Sequence, residues 1–218
     1  IIIAFMLGMF FASSLKGKKE NIKENPLNST EYNSKVLELL NSIAGIKAED
    51  LEIINNPVRL QGTLFAPKEA ILNGINYFLE ETENEKMENV AMYTEKEYVT
   101  ISVDYKVTKN ITTPIEVKIS PKLNDNKDLV INIEEIKLLD IKLPKLIVNI
   151  VMDSFIKDWF PKEDNNIEFA KGAVIIDKEN FNEVDLENLE VEEDGLRIKA
   201  VIKLEEVINK KGINKSDT

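Results

Sequence analysis

Between Val99 and Ile133 the chain alternates apolar and polar residues with a period of two, a pattern that antiparallel strands satisfy and helices do not. Val99, Ile101, Val103, Tyr105 and Val107 alternate with Thr100, Ser102, Asp104 and Lys106. Ile115, Val117 and Ile119 alternate with Glu116, Lys118 and Ser120, and Leu129, Ile131 and Ile133 with Val130, Asn132 and Glu134. Successive side chains of a strand point to opposite faces, so each segment sets one apolar face on a core and one polar face in water. Asn124-Asp125-Asn126 supplies a turn. At Glu134-Glu135 the phase slips: Ile136 and Leu138 take the even positions before Leu139, Ile141 and Leu143 return to the odd ones. A bulge there would re-aim the side chains and bend the strand. Ala173 to Ile176, Leu186 to Val191 and Leu196 to Leu204 extend the strand set, with a turn at Asp194-Gly195.

Three segments read as helices. Tyr32 to Ile43 places Val36, Leu40 and Ile43 on one face and ends at Gly45. Pro67 suits the first turn of a second helix, in which Ile71, Ile75, Phe78 and Leu79 form one stripe. Pro144 opens a third, Lys145 to about Trp159, whose polar row is Lys145, Asn149, Asp153 and Lys157. The rest of that segment is apolar, a broader face than a surface helix normally carries. Two readings follow: a well-packed core helix, or one wall of a groove for acyl chains.

Ile1 to Leu15 carries no charge, and Lys16, Lys18 and Lys19 follow at once. A bilayer core takes about 20 apolar residues. The chain opens on Ile rather than Met, so the run is expected to be the end of a longer membrane anchor. A signal peptide cut near Ala12-Ser13-Ser14 and a core helix are the alternatives. Lysines after the run taken alone favour a cytoplasmic domain. The segments are then an anchor at 1–16, a polar linker at 17–30, one domain at 31–208 and a polar tail at 209–218.

The 218 residues carry a net charge of −11. Lysine outnumbers glutamate four to two over the first 24 residues, so the remainder is more acidic still. Such a domain is poorly suited to nucleic acid, whose phosphates need Lys and Arg. The absence of Cys excludes disulfides and thiol chemistry, and the absence of His removes the commonest general base and metal ligand. No phosphate loop, nucleophile elbow or calcium loop occurs. The acidic run Glu80, Glu81, Glu83 and Glu85 reads as a solvated helix end. Asp104, Glu116 and Glu134 lie on polar strand faces, with nothing to fix a catalytic pair. The chain is therefore read as no enzyme, with no cofactor and no metal.

The segment PKEAILNGINYFLEE, the strands of YVTISVDYKVT, PIEVKIS and LVINIEEIKLLDIKLP, and then IVNIVMDSFIKDWFP resemble the YpmS-like family of uncharacterised membrane-anchored proteins of Gram-positive bacteria. The likeness spans about residues 64 to 204. It implies a single-pass protein of the cell membrane with its domain on the extracytoplasmic side, against the hint of the lysine flank. The pattern is more distantly similar to tubular lipid-binding folds. The expected architecture is α+β: a long, twisted antiparallel sheet wrapped around or packed on two or three helices, after one N-terminal transmembrane helix. The expected function is non-enzymatic binding of a lipid or other amphiphile in an apolar groove lined by Val99, Ile101, Val103, Ile115, Val117, Ile119, Ile147, Val151 and Phe155. The alternative is an envelope scaffold that binds another protein through strand edges or its acidic surface.

Overall fold

The computed structural model describes residues 45–55, 57–81, 84–145, 147–148, 166–170 and 172–203. Its strands are β1 (Lys47–Ile54), β2 (Arg59–Pro67), β3 (Met87–Glu95), β4 (Tyr98–Thr108), β5 (Ile111–Leu123), β6 (Leu129–Leu138), β7 (Ile141–Lys142), β8 (Ile167–Ala170), β9 (Ala173–Ile176), β10 (Val184–Glu192) and β11 (Gly195–Lys203). One α-helix, α1 (Lys68–Glu81), and a 3-10 turn, Lys178–Phe181, complete the described elements.

The strands form two sheets. The smaller has the order β1-β2-β11-β10, and the larger β3-β4-β5-β6-β9-β8, with β7 paired to β6. All pairings are antiparallel. The alternation seen in the sequence becomes inside and outside: β2 buries Leu60, Gly62, Leu64 and Ala66 and turns the residues between them outward. Leu64, Leu186, Val191 and Ile198 of the smaller sheet share one continuous core with Val103, Leu129, Ile136 and Ile176 of the larger. The Ile71 and Ile75 face of α1 joins this core, as the helical stripe predicts. Its first residue is fixed by Lys68 N–H donating to Asp194 O at 2.9 Å, in the β10–β11 turn.

Irregularities sit where the chain must bend. Lys118 pairs with Glu135 and Ile119 with Ile133, leaving Glu134 as the extra residue. This is the bulge expected from the slip in phase. The β6–β7 turn accounts for the second slip: Leu138 pairs with Ile141, and both Leu139 and Asp140 have positive φ. In β1, Asp50 and Leu51 stand opposite Gly62 alone. A Cβ on Gly62 would lie 2.7 Å from Asp50 O and 2.9 Å from Leu51 Cα, so only glycine fits against that bulge.

The α+β expectation is corrected. The described chain is mostly β, in two sheets rather than one, with a single α-helix of seven or more residues. No helix among the described residues is long and apolar enough to cross a membrane. Alternation identifies strands but not the sheet each joins, so it leads to one sheet where the fold has two. The helix expected over 32–43, the N-terminal run and most of the segment 145–159 lie outside the described residues.

Candidate functional site

Six of the expected groove residues come together. Val99 pairs with Ile119, Ile101 with Val117 and Val103 with Ile115, so β4 and β5 carry three apolar cross-strand pairs on one face. Such pairs contribute roughly 0.2–1 kcal/mol each. All six are at most 7% exposed and belong to the common core. Ile147 is 42% exposed, whereas its neighbour Val148 is buried. Val151 and Phe155 lie outside the described residues.

The inner face of the larger sheet does not stop where the core stops. On β5 the inward positions run from Ile119 through Ile115 to Ile111, which is exposed. On β6, beyond the bulge, Ile136 is buried and Leu138, two residues on, is exposed. Ile115 pairs directly with Leu138, and Leu138 with Ile141, which is 67% exposed. An unbroken aliphatic path therefore runs from buried Val103 through Ile115 and Leu138 to exposed Ile141. Leu139 N–H donates to Pro114 O at 3.2 Å, fastening the β6–β7 turn beside β5. Val107, at a register shift of β4, and Leu139 add two further exposed apolar side chains at this end. Of nine large exposed hydrophobics among the described residues, five lie here, which makes this end the candidate site. Sequence reasoning overlooked these five because alternation shows which residues share a face, not where that face loses its cover.

The polar faces are occupied by their own side chains. Lys137 bonds Glu116 at 2.5 Å, and Lys142 pairs with Glu135. These contacts hold the Lys137 ammonium above its ordinary range and the Glu135 carboxyl below the usual carboxylate range. Ser120 donates to Glu134 at 2.6 Å, and Asn89 to Asp104 at 2.9 Å. Asp104, Glu116 and Glu134 thus each have a separate partner. Among the described residues no three acidic side chains converge as a metal site.

No protein-family model, curated protein or solved structure matches this chain.

Proposed function

We propose that this protein is a non-enzymatic binder of a lipid or other amphiphile, held at the cell membrane by its apolar N-terminal run with the β domain on the extracytoplasmic side. The observation that carries the reading is the uncovered apolar end of the larger sheet, continuous with the buried face of β4 and β5. An acyl chain laid along Ile111, Leu138 and Ile141 removes aliphatic surface from water on both partners. Val99, Ile101, Val103, Ile115, Val117 and Ile119 back that surface. Each buried methylene contributes about 0.8 kcal/mol, so chain length rather than headgroup chemistry sets affinity. The apolar run with its lysine flank and the resemblance to YpmS-like proteins support the membrane location.

The scaffold alternative is disfavoured at three edges and left open at one. Edge strands β1, β3 and β10 each carry a register shift, between Glu49 and Glu52, Glu88 and Ala91, and Leu186 and Asn188, and bulged edges resist pairing with a further strand. β8, the outer strand of the larger sheet, pairs with β9 without a shift.

The test is native mass spectrometry of the full chain released from detergent micelles, with organic extraction of any retained mass. The reading expects a lipid-sized adduct that Ile141→Asp diminishes. A bare mass that persists after incubation with membrane lipids contradicts it.

A further inference from the structure

We propose that Arg59 anchors a carboxylate-binding site on the outer face of the smaller sheet. The ligand is a carboxylate with an apolar body, held between the Arg59 guanidinium and the exposed side chain of Ile54. The site lies on the other sheet from the uncovered apolar end, so it stands or falls apart from the amphiphile reading.

Arg59 is the cation that this face leaves over. β2 and β11, the central strands of the smaller sheet, carry Arg59, Arg197, Lys199 and Lys203 and no acidic residue. Counter-charges come from the flanking strands. Arg197 pairs with Glu192 of β10 and Glu49 of β1, Lys199 with Glu187 and Lys203 with Asp185. Arg59, half-buried, makes no ion pair among the described residues. Glu52, its diagonal neighbour across the β1–β2 ladder, does not bond to it. Lys203 stands directly opposite, and like charges so placed repel. The Arg59 Nε is buried and has no hydrogen-bond partner among the described residues, a costly state for a donor. In the chain's other arginine, Arg197, the same atom donates to Glu192 Oε1 at 2.6 Å.

Packing of an aliphatic stem on the sheet explains why Arg59 is half-buried. It does not explain a guanidinium without an acceptor in a chain of net charge −11. A carboxylate supplies the acceptor. Its two oxygens match the planar fork of the guanidinium, and turning Nε into that fork removes the unpaired donor. Charge and shape then set the ligand's class. The surplus is a single cation, because Lys203 is matched by Asp185. Glu187 also lies close, accepting from Gln61 at 3.5 Å, and Gln61 is the next outward residue of β2 after Arg59. A dianionic phosphate meets more repulsion there than a single carboxylate. On the side away from Lys203, Arg59 is paired with Ile54, which is 40% exposed and offers the ligand's body an apolar contact.

Because the chain has only two arginines, a nitrogen-correlated NMR spectrum of the Nε–Hε groups holds two signals, which Arg59→Lys assigns. The full chain in neutral detergent micelles is titrated with isovalerate, and in parallel with inorganic phosphate and with sodium chloride at matched ionic strength. The site predicts that isovalerate moves the Arg59 Nε signal and saturates in the millimolar range, while the Arg197 signal stays in place. Phosphate and chloride are expected to give no saturation. Arg59→Lys keeps the charge but not the fork and is expected to weaken isovalerate about tenfold, read from the backbone amide signals of Ile54 and Lys203. Ile54→Ser, which leaves Arg59 in place, is expected to weaken isovalerate and leave acetate unchanged. An Arg59 signal that does not move overturns the proposal, as does equal movement of both arginine signals in all three salts. Saturation by phosphate, or unchanged affinity in Arg59→Lys, overturns it as well.

Discussion

Three residues decide more than their size suggests. Gly62 faces the β1 bulge at distances that no Cβ tolerates. Gly62→Ala forces the β1 and β2 backbones apart and is expected to cost about 1–3 kcal/mol, measurable as a lower urea midpoint with unchanged slope. Asp128 accepts from Asn124 Nδ2 at 3.0 Å and from Lys178 N–H at 3.1 Å, joining the β5–β6 turn to the 3-10 turn. The Asn124 side-chain bond, then the Lys178 backbone bond, hold its carboxyl below the usual carboxylate range. The folded pKa lies under the unfolded one, so this stabilisation is full above the unfolded value and is lost as pH falls through the folded one. Stability is therefore expected to decline below about pH 4, and Asp128→Asn to flatten that part of the pH–Tm curve. Leu139 trades in the other direction. Leu139→Asn relaxes the turn and is predicted to raise stability by up to about 1 kcal/mol, read as a higher urea midpoint.

At the scale of elements, the sequence was most legible where strands are central and regular. β4, β5 and the first half of β6 follow from alternation alone, and α1 from Ile71 and Ile75. The bulge at Glu134 was visible as a change of phase, because an extra residue moves every later side chain to the other face. Deleting Glu134 joins Ile133 to Glu135 in unbroken alternation, so Glu135 still faces Lys118 and Ile136 still faces Val117. The expected outcome is a β6 that loses its bend but keeps Ile136 buried, with cooperative unfolding retained by circular dichroism. β1 and β2 escaped notice for the opposite reason. The Asp50-Leu51 bulge breaks the alternation of β1, and Gly62 and Ala66 dilute the apolar face of β2. Their pattern is set by a close approach between backbones, which composition does not display.

At the scale of the whole molecule, two sheets share one core, and the larger extends past it at the end formed by the β4–β5 and β6–β7 turns. Sequence reasoning identifies which residues share an apolar face but not how much of that face is covered. Val99, Ile101, Val103, Ile115, Val117 and Ile119 all lie on it, yet they are covered, and the accessible part is Ile111, Leu138 and Ile141. Which part of an apolar face is covered depends on how far the opposing sheet reaches, a long-range property that a period of two does not encode. The surface that remains carries the exposed side chains of Val107, Ile111, Leu138, Leu139 and Ile141.

The central claim is that this surface takes an acyl chain. The most direct measurement is photocrosslinking of the full-length protein with a fatty acid bearing a diazirine in its chain, followed by peptide mapping. The account predicts adducts on peptides containing Ile111 and the stretch Leu138 to Ile141, competed by unlabelled fatty acid and reduced by Ile141→Asp. Labelling confined to Ile1–Leu15, or none at all, contradicts it.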